Sequence, residues 1–281
     1  MYLERDGVRL FYSTIGSGRD VVLLHPTPTH HGFWLPVARL LAGRYRTVLI
    51  DLRGHGQSRS MEGPISAPIT MQQLAEDVHA VLQALAATQA AFVGCSIGTY
   101  LLYEYWRRFP HQMAAMVLTC GKPQPDTATN RKRRQEWSAS AQQPGGLEKF
   151  FDLMADTLVG PTAQREQPEV RAAARKMMSS MTLDAMLAVQ QGLALRPDSV
   201  PTLPTIRVPV CAIAGGEDQS STPPEMRAIS ELVAGAEFHL LADAGHYAPM
   251  EQPERVAALI GEFLDLHYAP LEGVEGQLPA H

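Results

Sequence analysis

Two kinds of hydrophobic pattern divide the chain. Up to Gly18, short apolar–polar alternations flank Asp6-Gly7 and predict two short strands around a tight turn. Beyond that point, continuous apolar runs alternate with longer stretches whose apolar positions recur every three or four residues. The runs at 21–25, 47–52, 91–94 and 113–119 are short enough for strands buried on both faces. Helical spacing falls at 33–41, where Trp34, Val37 and Leu41 share a face, at 71–85 and at 99–108. Strands alternating with helices need crossover connections, hence a mostly parallel sheet with helices on both faces.

The alternation stops near Gly121. Residues 122–204 are polar, with helical patches at 147–158 and 170–195 and no convincing strand. It resumes with a strand at 208–214, a helix from about 224 to 233, a strand at 237–241 and a helix from about 253 to 266. The expected class is α/β. A core of residues 1–121 and 205–268 is interrupted by a helical cap at 122–204, and a Gly- and Pro-containing tail at 269–281 is expected to be loosely held.

Composition narrows the function. The length of 281 residues suits one core plus an insertion, and 45% hydrophobic residues can fill it. A formal net charge of -5 argues against nucleic acid as a partner. The run Arg131-Lys132-Arg133-Arg134 is an exception and reads as a solvated helix face. Cys95, Cys120 and Cys211 each end or occupy an apolar run, as small buried thiols do, and show no metal-ligand spacing. With no signal-like start and no apolar stretch of membrane-spanning length, the expected location is cytoplasmic, away from membranes.

The chemistry concentrates at three places. Gly94-Cys95-Ser96-Ile97-Gly98 matches G-x-S-x-G between an apolar strand and a helix, the setting this motif requires. There the chain reverses at one residue, lifting the Ser96 hydroxyl clear of the sheet and aiming a helix N-terminus at it. Cys95, inside the strand end, should point away. A serine hydroxyl needs a base. Of ten histidines, His246 follows the last predicted strand at the edge where Ser96 emerges. His55 and His79 fit a loop and a helix, His239 a strand, His267 the end of the last helix and His281 the tail. Asp218, after the 208–214 strand, is the candidate to orient the imidazole, with Glu217 and Asp243 as rivals. For an oxyanion hole, the Ile97 N–H needs a companion. In His25-Pro26-Thr27-Pro28 neither proline has an N–H, which leaves Thr27.

From about residue 8 to 266 the chain resembles the α/β-hydrolase superfamily. The likeness rests on the Ser96 elbow and on three further stretches: His25-Pro26-Thr27-Pro28 with Trp34, Asp51-Leu52-Arg53-Gly54-His55-Gly56-Gln57-Ser58, and Ala244-Gly245-His246 followed by Glu251-Gln252-Pro253-Glu254. Residues 214–223 and the His246 region look most like 3-oxoadipate enol-lactonases and related small esterases. The resemblance implies an α/β-hydrolase fold, with Ser96, Asp218 and His246 as nucleophile, acid and base and Thr27 and Ile97 as oxyanion donors. The chain departs from the family in having Pro26 after His25 and Thr99 behind the elbow, where glycine is usual. His30 and Trp34, with His31, are candidates for the substrate-binding wall; solvated loop positions are the alternative for the histidines.

The expected reaction is hydrolysis of a small carboxylic ester or lactone through an acyl-enzyme, with no metal and no organic cofactor, in a monomer or homodimer. The same triad suits an acyltransferase or a cofactor-free perhydrolase, and some relatives of this fold are ligand-binding receptors. In the cap, Trp137, Phe150, Phe151, Met154, Met177, Met178, Met181 and Met186 either pack on the core or line the pocket. Met181 and Met186 are expected to set acyl-chain preference.

Overall fold

The apolar runs become the strands of one sheet. The computed structural model describes residues 1–269; apart from Ala269, the expectation for the tail falls on residues outside that range. The chain opens with β1 (Tyr2–Arg5), β2 (Val8–Ile15) and β3 (Arg19–Leu24), followed by α1 (Leu35–Leu41) and β4 (Tyr45–Ile50). A two-residue strand β5 (Arg59–Ser60) precedes α2 (Met71–Ala84), β6 (Ala90–Cys95), α3 (Ile97–Arg108) and β7 (Met113–Thr119). Between β7 and the next strand lie α4 (Ala128–Ala141), α5 (Gly146–Leu158), α6 (Pro161–Glu166), α7 (Pro168–Met178) and α8 (Leu183–Ala194). The chain then returns to the sheet with β8 (Val210–Gly215), α9 (Pro223–Leu232), β9 (Glu237–Leu241), α10 (Ala248–Glu251) and α11 (Pro253–His267).

The strand order is β1-β2-β4-β3-β6-β7-β8-β9, with β5 on β2. From β4 to β9 every pair is parallel, whereas β1, β2 and β5 pair antiparallel. The central strands are buried on both faces, as their unbroken apolar runs require: every residue of β6 and β8 is buried. The chain moves outward from β3 to β4 and then returns to place β6 on the other side of β3. At such a reversal the loops leaving adjacent strand ends diverge, and the crevice between them is where open α/β sheets hold ligands. Thr27 follows β3 and Ser96 follows β6, so both stand at that crevice.

Two local differences from the sequence reading have clear causes. The stretch at 33–41 splits into a 3₁₀ turn (His31–Trp34) and α1, whose first turn holds Pro36, where the missing N–H costs nothing. The stretch at 170–195 breaks into α7 and α8 around residues 179–182, with Thr182 extended just before α8. The polar helix α4 and the one-and-a-half-turn α6 lack the apolar stripe that would have announced them.

Candidate active site

Ser96 sits at φ 54°, ψ -113°, a backbone region that L-residues rarely occupy and that costs about 1–3 kcal/mol. The surroundings impose it. A Cβ at Gly94 would lie 2.5 Å from the Gly98 carbonyl carbon, and one at Gly98 would lie 2.4 Å from Leu24 O. Only bare backbone on both sides lets α3 start this close to β6 and β3. Ser96 N–H donates to Thr119 O at 3.2 Å, which pins the turn to β7. Thr99 fills the space behind it: its hydroxyl lies 2.9 Å from Gly94 O and 3.2 Å from Thr119 O. The residue is fully buried, so the departure at Thr99 is absorbed by packing, away from the cavity lining.

Asp218 and His246 come together from the loops after β8 and β9. The His246 Nδ1 stands 2.8 Å from Asp218 Oδ2. The other carboxylate oxygen, Oδ1, accepts from Ser220 N–H at 2.7 Å and Ser221 N–H at 3.0 Å, so the acid is fixed at both ends. Burial opposes a charged imidazole, but the adjacent Asp218 outweighs it and holds the His246 pKa above its ordinary value. The rivals for the acid role sit elsewhere. Asp243 is exposed, and the Glu217 carboxylate accepts from Thr162 N–H and Oγ1.

Ser96 and His246 line one cavity of about 780 Å³, together with Thr27. Among the described residues no hydrogen bond joins Ser96 Oγ to the imidazole. Thr27 is held from two sides: its Oγ1 lies 2.9 Å from His55 Nε2, and its carbonyl accepts from the Tyr247 hydroxyl at 3.3 Å. His55 donates from Nδ1 to Arg53 O, which leaves Nε2 as the acceptor for Thr27. Burial pushes the His55 pKa down to about 4, so the ring stays neutral. The Thr27 N–H makes no backbone hydrogen bond among the described residues, and Ile97 opens α3, where N–H groups have no helical partner.

His30 and Trp34 do not line this cavity. Trp34 is fully buried, packed edge-on against Phe33 in the 3₁₀ turn. His30 caps that turn by accepting from Gly32 N–H, beside His31 and Asp51. The 3₁₀ turn carries the Trp34 side chain into the core and leaves His30 half-buried at its start.

The insertion supplies the rest of the cavity wall. Trp137, Phe150 and Met154 form part of an apolar side. Met181 and Met186 do not line it; both are packed away, at 3% and 1% exposure. On α8 the cavity begins one helical turn beyond Met186, at Gln190. The lining is also charged, with Lys122, Arg133, Arg134 and Arg196 against Asp126 and Glu225. The basic run at 131–134 is therefore only partly a solvated face. Arg134 and Arg196 both reach Asp126, each at 2.5 Å, and Lys122 pairs with Glu225 at 3.0 Å. Arg133 stacks over Trp137 at 5.5 Å and has no carboxylate within ion-pair distance among the described residues.

Among the described residues, two groups of side chains carry enough donors for a metal: His30, His31 and Asp51, and Cys211, Glu237 and His239. In the first, Asp51 already accepts from His31 N–H and Nδ1 and from Gln57 N–H, so both its oxygens are used within the fold. The three cysteines are buried, and Cys95 turns its thiol toward His246 O at 3.7 Å, away from the cavity. No helix among the described residues is long and apolar enough to cross a membrane.

Comparison with known proteins agrees with this architecture. The sequence pattern of the Alpha/beta hydrolase family matches residues 21–259. A pimeloyl-[acyl-carrier protein] methyl ester esterase of Methylococcus capsulatus is 29% identical over 259 residues, covering 91% of this chain and 98% of its own. The 3-oxoadipate enol-lactonase 2 of Acinetobacter baylyi is 26% identical over 256 residues, covering 90% of this chain and 91% of its own. Among solved structures, a thermophilic esterase from Thermogutta terrifontis, with malate bound, superposes with a TM-score of 0.87 at 29% identity, covering 92% of this chain and 94% of that one.

Proposed function

The chain belongs to the alpha/beta hydrolase family, and from that premise we propose that it hydrolyses a small carboxylic ester or lactone through an acyl-enzyme on Ser96. The observation that carries this reading is the strained strand-to-helix serine sharing a cavity with an imidazole held 2.8 Å from a buried carboxylate. In this scheme Ser96 Oγ attacks the carbonyl carbon while His246 Nε2 takes its proton. Asp218 keeps Nδ1 protonated and steadies the charged ring. The Thr27 and Ile97 N–H groups receive the developing oxyanion, and the Thr27 contacts to His55 and Tyr247 hold that donor in place beforehand. His246 then passes the proton to the leaving alcohol, and water, activated by the same ring, releases the acid. Residues 122–204 act as the cap that closes the site.

The charged wall bears on the substrate. In a chain of net charge -5, the cavity gathers four cationic side chains against two carboxylates. Burial works against Asp126, but Arg134 and Arg196 overcome it and keep its carboxyl below the ordinary range, so it stays ionised between them. Arg133 is left to meet an incoming anion. We read the preferred substrate as an ester or lactone that also carries a carboxylate, a reading that the malate found on the Thermogutta esterase accompanies.

A panel pairing monomethyl half-esters of dicarboxylic acids with their dimethyl esters tests both parts. Free acid should be released, with the half-ester preferred, and a fluorophosphonate should label Ser96 alone. Arg133→Gln should lower that preference about tenfold, the value of one charge-assisted hydrogen bond, and spare the neutral ester. Full turnover by Ser96→Ala would end the serine mechanism. An equal rate on both ester types would end the carboxylate reading.

A further inference from the structure

His246 is gripped through its backbone as well as its ring. Glu251, five residues on and 2% exposed, turns its carboxylate back over the loop. Its Oε2 accepts from Gly245 N–H at 2.7 Å, and its Oε1 accepts from Tyr247 N–H at 3.2 Å. One buried carboxylate therefore holds both peptide N–H groups that flank the candidate base. Oε1 also accepts from Gly160 N–H at 3.2 Å, in the turn between α5 and α6 of the insertion. Tyr247 N–H is shared with Leu158 O at 3.1 Å. Burial keeps the Glu251 pKa above the ordinary glutamate value, against the pull of its three N–H donors.

The neighbouring acid loop is tied to the same place. Glu217, next to Asp218, accepts from Thr162 N–H at 3.0 Å and Thr162 Oγ1 at 2.6 Å. The two carboxylates converge on Gly160. A Cβ there would lie 2.6 Å from Glu217 Oε2, 2.6 Å from Gly245 N and 2.8 Å from Glu251 Oε2, so this junction needs glycine.

We propose that Glu251 is a positioning residue for His246, fixing the imidazole through the Gly245 and Tyr247 peptides and coupling its placement to residues 158–162 of the insertion. Glu251 has no place in the cavity lining, so it acts on substrate only through the base. Its reach extends further through Tyr247, whose hydroxyl bonds Thr27 O. Loosening the bracket disturbs base and oxyanion donor together. The proposal rests on His246 being the base, and the experiment separates the two.

Glu251→Gln puts an amide NH₂ against N–H donors and breaks the bracket on one side. Rates are normalised to active sites titrated with a fluorophosphonate, so that lost folding does not count as lost catalysis. The expected result is a fall in kcat of about 100-fold, the scale of an ångström-sized misplacement, with KM within about twofold. The downfield NMR signal of the His246 Nδ1 proton should shift or broaden. Glu251→Asp keeps the charge with a shorter reach; it should show an intermediate kcat and serves if the glutamine variant does not fold. Wild-type kcat per active site with an unmoved proton signal in either variant overturns the proposal. An active His246→Ala instead overturns the underlying reading of the base.

Discussion

Met186 and Met154 both belong to the insertion and look alike in sequence, but the structure assigns them opposite consequences. Met186, at 1% exposure, is enclosed by packed neighbours, so Met186→Ala leaves a void and costs about 3 kcal/mol. At this size that lowers Tm by roughly 5–10 °C. Met154 borders the cavity of about 780 Å³, so its truncation widens an existing space and costs about 1–2 kcal/mol. The deletion of Cγ, Sδ and Cε opens room for about two methylenes, each worth at least ~1 kcal/mol in an apolar pocket. Met154→Ala should therefore move the preferred acyl chain about two carbons longer and raise kcat/KM there at least about thirtyfold relative to the short esters. The assay is kcat/KM over nitrophenyl esters from acetate to decanoate, with melting curves for each variant. A shifted profile in Met186→Ala with an unchanged Tm, or an unshifted one in Met154→Ala, would refute the assignment.

Further outcomes follow from the charged groups. Asp218→Asn should lower kcat by about 10⁴ with little change in KM, because the wrong imidazole tautomer is favoured. As Asp218 is what raises the His246 pKa above 6.5, its loss should also move the acid limb of kcat/KM to lower pH, the opposite of an unchanged profile if Asp218 were remote. His25 and His55 are buried neutral, with pKa values near 3 and 4 against 6.5 in the unfolded chain. The unfolded state alone takes up these protons as pH falls from about 6.5, so stability is full above that and drops toward pH 3–4, by about 1.4 kcal/mol per unit per group. Asp51, held at about 2 and lying against this cluster, adds to the loss only below about 3.8. His25→Gln, which retains an acceptor for Leu52 N–H, should flatten the dependence of Tm on pH in that window.

What the sequence disclosed depended on how local the governing physics was. Buried parallel strands must be continuous apolar runs, so β3, β4, β6, β7 and β8 were legible. The Ser96 turn was legible because Gly94 and Gly98 answer contacts within a few residues and one strand away. His246 and Asp218 were within reach because both follow strands whose ends share an edge. Glu251 was visible only as part of a familiar stretch. The role proposed for it involves Gly160, 91 positions earlier, and no local pattern reports such a contact. His55 was similarly opaque, since its Thr27 partner lies 28 positions away.

The insertion was hardest to read because its helices answer to two neighbours, the core below and the cavity inside. An apolar stripe at helical spacing satisfies either, so Met186 and Gln190, one turn apart on α8, fall on different sides of the boundary. Charge misled in the same way. A basic run is usually solvated, and Arg131 and Lys132 are exposed. Arg134, however, turns inward to Asp126, and Arg133, exposed like its two predecessors, sits over the Trp137 ring at the cavity. What distinguishes these positions is the buried Asp126, which can draw one arginine from α4 and another, Arg196, from just beyond α8. Two cations around one buried carboxylate leave that wall with excess positive charge. Under the function proposed above, the same triad then serves a narrower set of substrates than the catalytic residues alone would imply, with selectivity assigned to the insertion and the chemistry to the loops at the sheet edge.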